Sequence, residues 1–159
     1  MSDLLQHCAD LPKMSVPEGE VLIAEGADPG QLLVLASGAV TVETDSVPFA
    51  RIDHPGAVFG EMSWVLGRPA TATVRASAPV DVHVMQDPGA FLTEHPEAAL
   101  EILRMTAARL DGLTQYLVDV KQQFAGMDGH LGMIDQILDT LVHHQSAPTR
   151  TGSVRDPEC

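Results

Sequence analysis

The chain has 159 residues, which is enough for one globular domain with a helical extension. Its formal net charge is −13 with only 9 lysines and arginines, and this excludes a typical nucleic-acid-binding surface, because those cations supply most of the affinity for phosphates. No apolar run approaches the roughly 20 residues that span a bilayer, and the first residues lack the basic flank of a signal peptide. We therefore expect a cytoplasmic protein with no nucleic-acid or membrane partner.

The cysteines and histidines predict no metal site. Cys8 and Cys159 lie at opposite ends of the chain and form no Cys-x-x-Cys pair. The neighbouring His143 and His144 would point to different faces of a predicted helix. We expect no metal ion and no tightly bound cofactor.

The first predicted element in chain order is a short amphipathic helix within residues 1–15, where Asp3 can cap a turn that carries Leu4, Leu5 and Cys8. From residue 16 to residue 87, apolar and β-branched runs are broken by glycine or proline at short intervals. Short strands at this spacing are typical of a β sandwich or barrel. The sequence therefore predicts a mainly β domain with α-helices before and after it.

A helical pattern replaces the strands after residue 87. Pro88 and Pro96 each stand where the first turn of a helix tolerates proline, so residues 88–125 predict a hinge with a short helix and then a long helix ending near Phe124. Apolar side chains recur along the long helix at the spacing of a coiled coil. The predicted seam comprises Leu103, Thr106, Leu110, Leu113, Leu117, Val120 and Phe124. This seam either packs on the protein's own barrel or forms a parallel homodimer, and we favour the homodimer.

Glycines close to residue 126 end the long helix, and residues 126–145 predict an accessory amphipathic helix. Its apolar stripe comprises Leu131, Ile134, Leu138 and Leu141. We expect this helix to fold back on the dimer or to present a surface to an unknown protein partner. Residues 146–159 are rich in Pro, Ser, Thr and Gly, and they predict a disordered tail.

The most informative stretch, residues 59–74, reads F-G-E-M-S-W-V-L-G-R-P-A-T-A-T-V. It resembles the phosphate-binding cassette of cyclic nucleotide-binding domains, in which Phe-Gly-Glu-Leu-Ala-Leu precedes Pro-Arg-Ala/Thr-Ala-Thr-Val. The resemblance extends from about Pro17 to Phe124 and implies a β-roll or jelly-roll barrel that binds cAMP or cGMP. One position departs from the family, because Ala70 stands where the family has the arginine that pairs with the phosphate.

The resemblance implies a role for each cassette residue. Glu61 would accept the ribose 2′-hydroxyl, and the backbone amides of Met62 and Ser63 would hold the cyclic phosphate at the start of a short helix. Arg75 would lie on the opposite face of its strand from position 70, as a solvated charge outside the pocket. The candidate ligand-binding residues are Phe59, Gly60, Glu61, Met62, Ser63, Arg68, Ala70, Thr71 and Ala72.

Four side chains near the cassette keep two interpretations each. Arg68 either reaches the phosphate in place of the missing arginine or is aimed outward by Pro69. Thr71 either hydrogen-bonds the guanine or the phosphate, as in domains resembling cGMP sensors, or reflects ordinary strand propensity. Trp64 either stacks on a base or packs against the barrel. His83 either ligates haem, as in gas sensors of this fold, or is an ordinary strand histidine.

No enzyme motif accompanies the cassette, since the sequence has no Gly-x-Ser-x-Gly elbow, Walker-type loop or His-Glu-x-x-His. We expect a non-catalytic regulatory module that binds cAMP, cGMP or a related small ligand and signals through its C-terminal helices. The competing hypothesis is a degenerate homodimeric scaffold that needs no ligand, and a third is a different metabolite in a reshaped pocket. In transcription factors of this family a helix-turn-helix follows the long helix, and we expect no such DNA-binding domain here.

Overall fold

The computed structural model describes residues 3–28, 30–125 and 131–143. Helix α1 (Asp3–His7) precedes strands β1 (Lys13–Val16), β2 (Val21–Ile23), β3 (Leu32–Ser37), β4 (Val40–Thr44), β5 (Val47–Ile52) and β6 (Val58–Phe59). Next come helix α2 (Glu61–Leu66) and strands β7 (Thr73–Ala76) and β8 (Val80–Met85). The last elements are helices α3 (Pro88–Glu94), α4 (Pro96–Gln123) and α5 (Leu131–His143). The described residues up to Arg104 form one compact unit, and those from Met105 onward form a second.

The described strands of the first unit form two antiparallel sheets of four strands each. Their strand orders are β1-β8-β3-β6 and β2-β7-β4-β5. In each sheet a late strand lies between early ones: β8 pairs with both β1 and β3, and β7 pairs with both β2 and β4. The sheets therefore assemble from residues that are distant in the chain, and the predicted mainly β fold with α-helices is confirmed.

The main core is built from both sheets. Alternate residues of β3 and β8, such as Leu33, Leu35 and Val82, point into it because side chains alternate across a strand. Its buried members are Val16, Leu33, Leu35, Val40, Ala57, Phe59, Val74, Ala76, Val80, Val82 and Val84. Leu32 and Val34, on the opposite face of β3, are fully buried as well. Strand β3 is therefore covered on both faces, which is why it reads as a continuous apolar run.

Helix α1, the turn that follows it and the first turns of α4 add further buried side chains. Leu4, Cys8 and Ala98 have no exposed surface. Burial disfavours the thiolate and raises the pKa of Cys8 to about 11. His7 Nε2 lies 3.9 Å from Glu97 Oε2, so a polar contact also joins α1 to the start of α4.

Strand β1 begins at Lys13, inside the segment predicted to be helical and before the predicted start of the β domain at residue 16. Only Val16 of this strand is buried, so the apolar signal in the sequence is weak. Pairing with β8 defines the strand and places Ser15 opposite Asp81. The Ser15 and Ser37 hydroxyls donate hydrogen bonds to the Asp81 carboxylate at 2.5 and 3.2 Å, and these bonds lower its pKa.

The helices after residue 87 begin at the two predicted prolines, Pro88 for α3 and Pro96 for α4. Asp87 caps α3, because its side chain accepts a hydrogen bond from the Ala90 backbone N–H at 3.1 Å. The predicted order of a short helix followed by a long one is confirmed.

Along α4, most of the predicted seam is open to solvent. The exposed seam residues are Leu103, Thr106, Leu110, Leu113 and Phe124, and the half-buried ones are Leu117 and Val120. Lys121 of α4 forms an ion pair with Asp135 of α5. Helix α5 accounts for the predicted accessory helix, and its stripe residues Ile134, Leu138 and Leu141 are half-buried. The predicted tail at 146–159 lies outside the described residues, and no described helix is long and apolar enough to cross a membrane.

Candidate functional site

The cassette opens at Gly60, where the backbone conformation requires glycine. Gly60 has φ of +89°, a value that side-chain-bearing residues rarely adopt. A Cβ atom at this position would lie 3.1 Å from the Gln31 carbonyl oxygen and 3.4 Å from Ile23 Cδ1. The absent side chain therefore lets the start of α2 approach the segment that joins β2 to β3.

Helix α2 buries two polar side chains and exposes apolar ones. Glu61 and Ser63 are only 6% and 7% exposed, although both are polar. The Ser63 hydroxyl donates a hydrogen bond to the Gly60 carbonyl at 3.4 Å. Met62 is 50% exposed, and Val65 is 66% exposed. No side chain caps the first turn, and the Glu61 carboxylate lies in that turn, where the helix dipole favours negative charge.

The turn after α2 is fixed by backbone hydrogen bonds. Gly67 ends the helix in the left-handed conformation, and both its N–H and that of Arg68 donate to the Ser63 carbonyl. Arg68 is half-buried, and its Nε atom is enclosed without an acceptor among the described residues. Ala70 is buried, with its N–H donating to Ala27 at 2.9 Å. The cassette thus meets the β2–β3 segment at both Gly60 and Ala70.

Two further bonds join the end of the cassette to neighbouring strands. Thr71 is exposed, and its carbonyl accepts a hydrogen bond from the Thr44 hydroxyl at 3.3 Å. The Thr73 hydroxyl accepts one from the Glu25 N–H at 3.0 Å. Because β7 begins only at Thr73, strand propensity does not explain Thr71. The half-buried Ala72 completes this connection.

Several candidate side chains have other roles in the structure. Phe59 is a member of the main core. Trp64 is half-buried. Its ring approaches the start of α3, because a Cβ atom built on Gly89 would lie 3.9 Å from Trp64 Cζ2. Arg75 is not a free solvated charge as expected from the sequence. It donates to the Glu43 carboxylate at 3.0 Å, as its diagonal neighbour across β7 and β4, because Arg75 lies opposite Thr41 and Glu43 opposite Thr73.

His83 is 5% exposed, and its Nδ1 has no hydrogen-bond partner in the part of the chain that the structure describes. It belongs to β8, between β1 and β3, with its side chain on the face opposite the core residues Val82 and Val84. Within the described residues, no group of three or more His, Cys, Asp or Glu side chains could hold a metal ion.

The structure brings together Gly60, Glu61, Ser63, Arg68 and Ala70 around α2. Sequence reasoning missed the β2–β3 segment that closes against them. Its Gln31 and Ala27 act through backbone carbonyls, which carry no signature in side-chain composition. The glycine and proline signals at residues 26–30 predict a turn here, but they do not say which element the turn contacts.

A family model of the cyclic nucleotide-binding domain matches residues 13–91. The chain carries a cyclic nucleotide-binding domain. The matched range starts with β1, contains both sheets and the whole cassette, and ends within α3. A comparison with curated proteins found no match.

Solved structures share this fold. The catabolite activator protein of Thermus thermophilus aligns with a TM-score of 0.63 at 21% identity, over 76% of this chain and 60% of that protein. The N-terminal domain of a transcriptional regulator from Streptomyces coelicolor A3(2) aligns with a TM-score of 0.53 at 26% identity, over 71% and 86% of the two chains. PKAR CBD2 with bound Sp-2Cl-cAMPS aligns with a TM-score of 0.52 at 20% identity, over 70% and 87%. The chain thus spans about 60% of the length of the Thermus protein.

Proposed function

We propose that this protein is a non-catalytic, cytoplasmic regulatory module that binds cAMP or cGMP at the α2 cassette. The observation that carries the proposal is the pair Gly60 and Glu61. A left-handed glycine, at which a Cβ would crowd the Gln31 carbonyl, brings a buried carboxylate to the first turn of a short helix. Family membership of residues 13–91 supports the same assignment.

In this proposal each part of the cassette has a distinct task. Glu61 accepts the ribose 2′-hydroxyl, and the first-turn N–H groups of α2, including those of Met62 and Ser63, face the cyclic phosphate. The exposed Thr71 is placed to hydrogen-bond a base or the phosphate. Phe59 supports the site from the core.

Signalling would run through the helices. Trp64 approaches Gly89, so a ligand-dependent shift of α2 would change the packing at the start of α3. A ligand that binds one arrangement more tightly shifts the population toward it. The exposed seam of α4 supports a homodimer, and α5 would offer its surface to a protein partner.

Calorimetric titration with cAMP, cGMP and 2′-deoxy-cAMP tests the nucleotide assignment. If Glu61 holds the 2′-hydroxyl, wild-type protein should prefer cAMP over 2′-deoxy-cAMP by roughly ten- to hundredfold. The Glu61→Gln variant should lose most of that preference. Glu20→Gln is the matched control, because Glu20 is an exposed carboxylate outside the cassette, and it should keep the preference. An unchanged preference in Glu61→Gln would contradict the assigned role.

Ala70 favours a second candidate, a homodimeric scaffold that needs no ligand. A buried alanine stands where the family carries its phosphate-pairing arginine, and its backbone is tied to Ala27 and Gly26. The scaffold is supported over the sensor if calorimetry shows no heat of binding with either nucleotide at millimolar concentration and the protein is a stable dimer. A pocket reshaped for another small metabolite would also show no nucleotide binding. A metabolite screen would then detect its ligand.

A further inference from the structure

Arg68 differs from the other arginines of the first unit. Arg51, Arg75 and Arg104 each lie within 4.0 Å of a carboxylate, at 3.9, 3.0 and 3.3 Å respectively. Within the described residues, Arg68 Nε is the one guanidinium nitrogen that is enclosed and lacks an acceptor. Enclosing a charged donor without an acceptor is unfavourable, because its hydration is lost and not replaced. The arrangement therefore calls for an acceptor that the described part of the chain does not supply.

The backbone holds this arginine at the cassette. The Arg68 N–H donates to the Ser63 carbonyl of α2 at 3.1 Å. Pro69 restricts the next backbone torsion, and Ala70 is then fixed by its N–H bond to Ala27 at 2.9 Å. Two residues span at most roughly 7 Å of extended chain, so Arg68 starts close to the position from which the family's arginine would act.

The overall charge makes a local cation important. With a formal charge of −13, the protein repels anions at long range, so an anionic ligand needs a nearby positive group. A guanidinium offers several N–H donors in a fixed fork that matches phosphate oxygens, and such charge-assisted bonds are stronger than neutral ones.

We propose that Arg68 supplies the guanidinium that pairs with the anionic group of the ligand, in place of the arginine that is absent at Ala70. This inference rests on the proposed function of the cassette, and it extends that function by naming the residue that neutralises the phosphate. The ligand group that pairs with Arg68 is an anion in this proposal, because charge-assisted bonds to a guanidinium are stronger than bonds to a neutral acceptor.

The test compares wild-type protein with Arg68→Gln, and uses Arg51→Gln as the matched control. Arg51 is an exposed arginine of β5, 3.9 Å from Asp53 and outside the cassette. Calorimetry with cAMP and cGMP should show affinity falling by roughly thirty- to several-thousand-fold in Arg68→Gln. Arg51→Gln should stay within about twofold of the wild type, since a surface pair contributes little.

A second measurement on the wild type does not depend on any variant folding. The Nε–Hε signal of Arg68 is followed by NMR during addition of cyclic nucleotide, of the matching nucleoside, and of inorganic phosphate. We expect a large shift with the cyclic nucleotide and with millimolar phosphate, but none with the nucleoside, because only the first two carry an anionic phosphate.

The outcomes separate this inference from the proposed function. Equal nucleotide affinity in wild-type protein and folded Arg68→Gln would overturn the role of Arg68 and leave the nucleotide site standing. No nucleotide binding, but an Arg68 Hε shift with phosphate, would overturn the nucleotide assignment and keep Arg68 as an anion-pairing residue. An Hε signal unaffected by both nucleotide and phosphate would overturn the inference.

Discussion

Replacing Gly60 with alanine measures how tightly the cassette is held against the β2–β3 segment. The variant has two separate penalties. The left-handed backbone costs an alanine about 1 to 2 kcal/mol. The new Cβ would also lie 3.1 Å from the Gln31 carbonyl, a backbone atom that cannot rotate away. Forcing an extra methyl into such a packed place costs about 1 to 3 kcal/mol.

Gly67→Ala is the control that has a left-handed backbone without a crowded Cβ. Gly67 also has a positive φ, +63°, but a Cβ there meets nothing within 4 Å. We expect Gly67→Ala to lower the free energy of unfolding by about 1 to 2 kcal/mol, and Gly60→Ala to lower it by about 2 to 5 kcal/mol. Both residues flank the same short helix, so the comparison holds the surroundings nearly constant.

Urea unfolding followed by circular dichroism gives both values, with unchanged m-values indicating that the two variants unfold from equally compact states. If cyclic nucleotide binds the wild type, Gly60→Ala should also weaken it more than Gly67→Ala does, because Glu61 would be displaced with the helix. Equal losses of stability in the two variants would refute the reasoning, since the Gln31 carbonyl would then impose no constraint.

Three further predictions concern other parts of the molecule. Because burial raises the pKa of Cys8 from 9.0 to about 11, its contribution to stability is full below pH 9 and is lost as the pH rises toward 11. Iodoacetamide should accordingly modify Cys8 far more slowly in folded protein than in urea at pH 8, and equal rates by mass spectrometry would contradict its burial. For Asp81 the pKa is lowered, first by the Ser15 hydroxyl, so its contribution is present above the unfolded pKa and is lost as the pH falls through the folded one. Ser15→Ala should raise the Asp81 pKa in a carboxyl NMR titration, whereas an unchanged titration would argue against that bond. Leu110→Asp should reduce the mass by light scattering from dimer to monomer, while Gln115→Asp, also exposed on α4 but outside the seam, should leave it unchanged. A Leu110→Asp protein of unaltered mass would exclude the seam as the interface.

The accuracy of the sequence prediction varied with how local each signal is. The start of α3 at Pro88 and of α4 at Pro96 follows from proline chemistry within one turn, and both positions were predicted. Strand β1 was missed, because its four residues bury only Val16 and become a strand through pairing with β8. The Arg75 pair with Glu43 was missed for the same reason, since β4 and β7 are neighbours only in the folded sheet.

By itself the sequence determined the β domain with its following helices and the family of the cassette, because these depend on residue types at fixed spacing. Tertiary structure alone decided what surrounds the cassette. The Gln31 carbonyl that would crowd a side chain at Gly60 and the bond from Ala70 to Ala27 are backbone contacts between distant segments, and no residue type encodes them. Likewise, the sequence left two directions open for Arg68. Among the described residues the fold encloses its Nε without an acceptor, and the bonds of Arg68 N–H to Ser63 and of Ala70 N–H to Ala27 fix the turn that carries it.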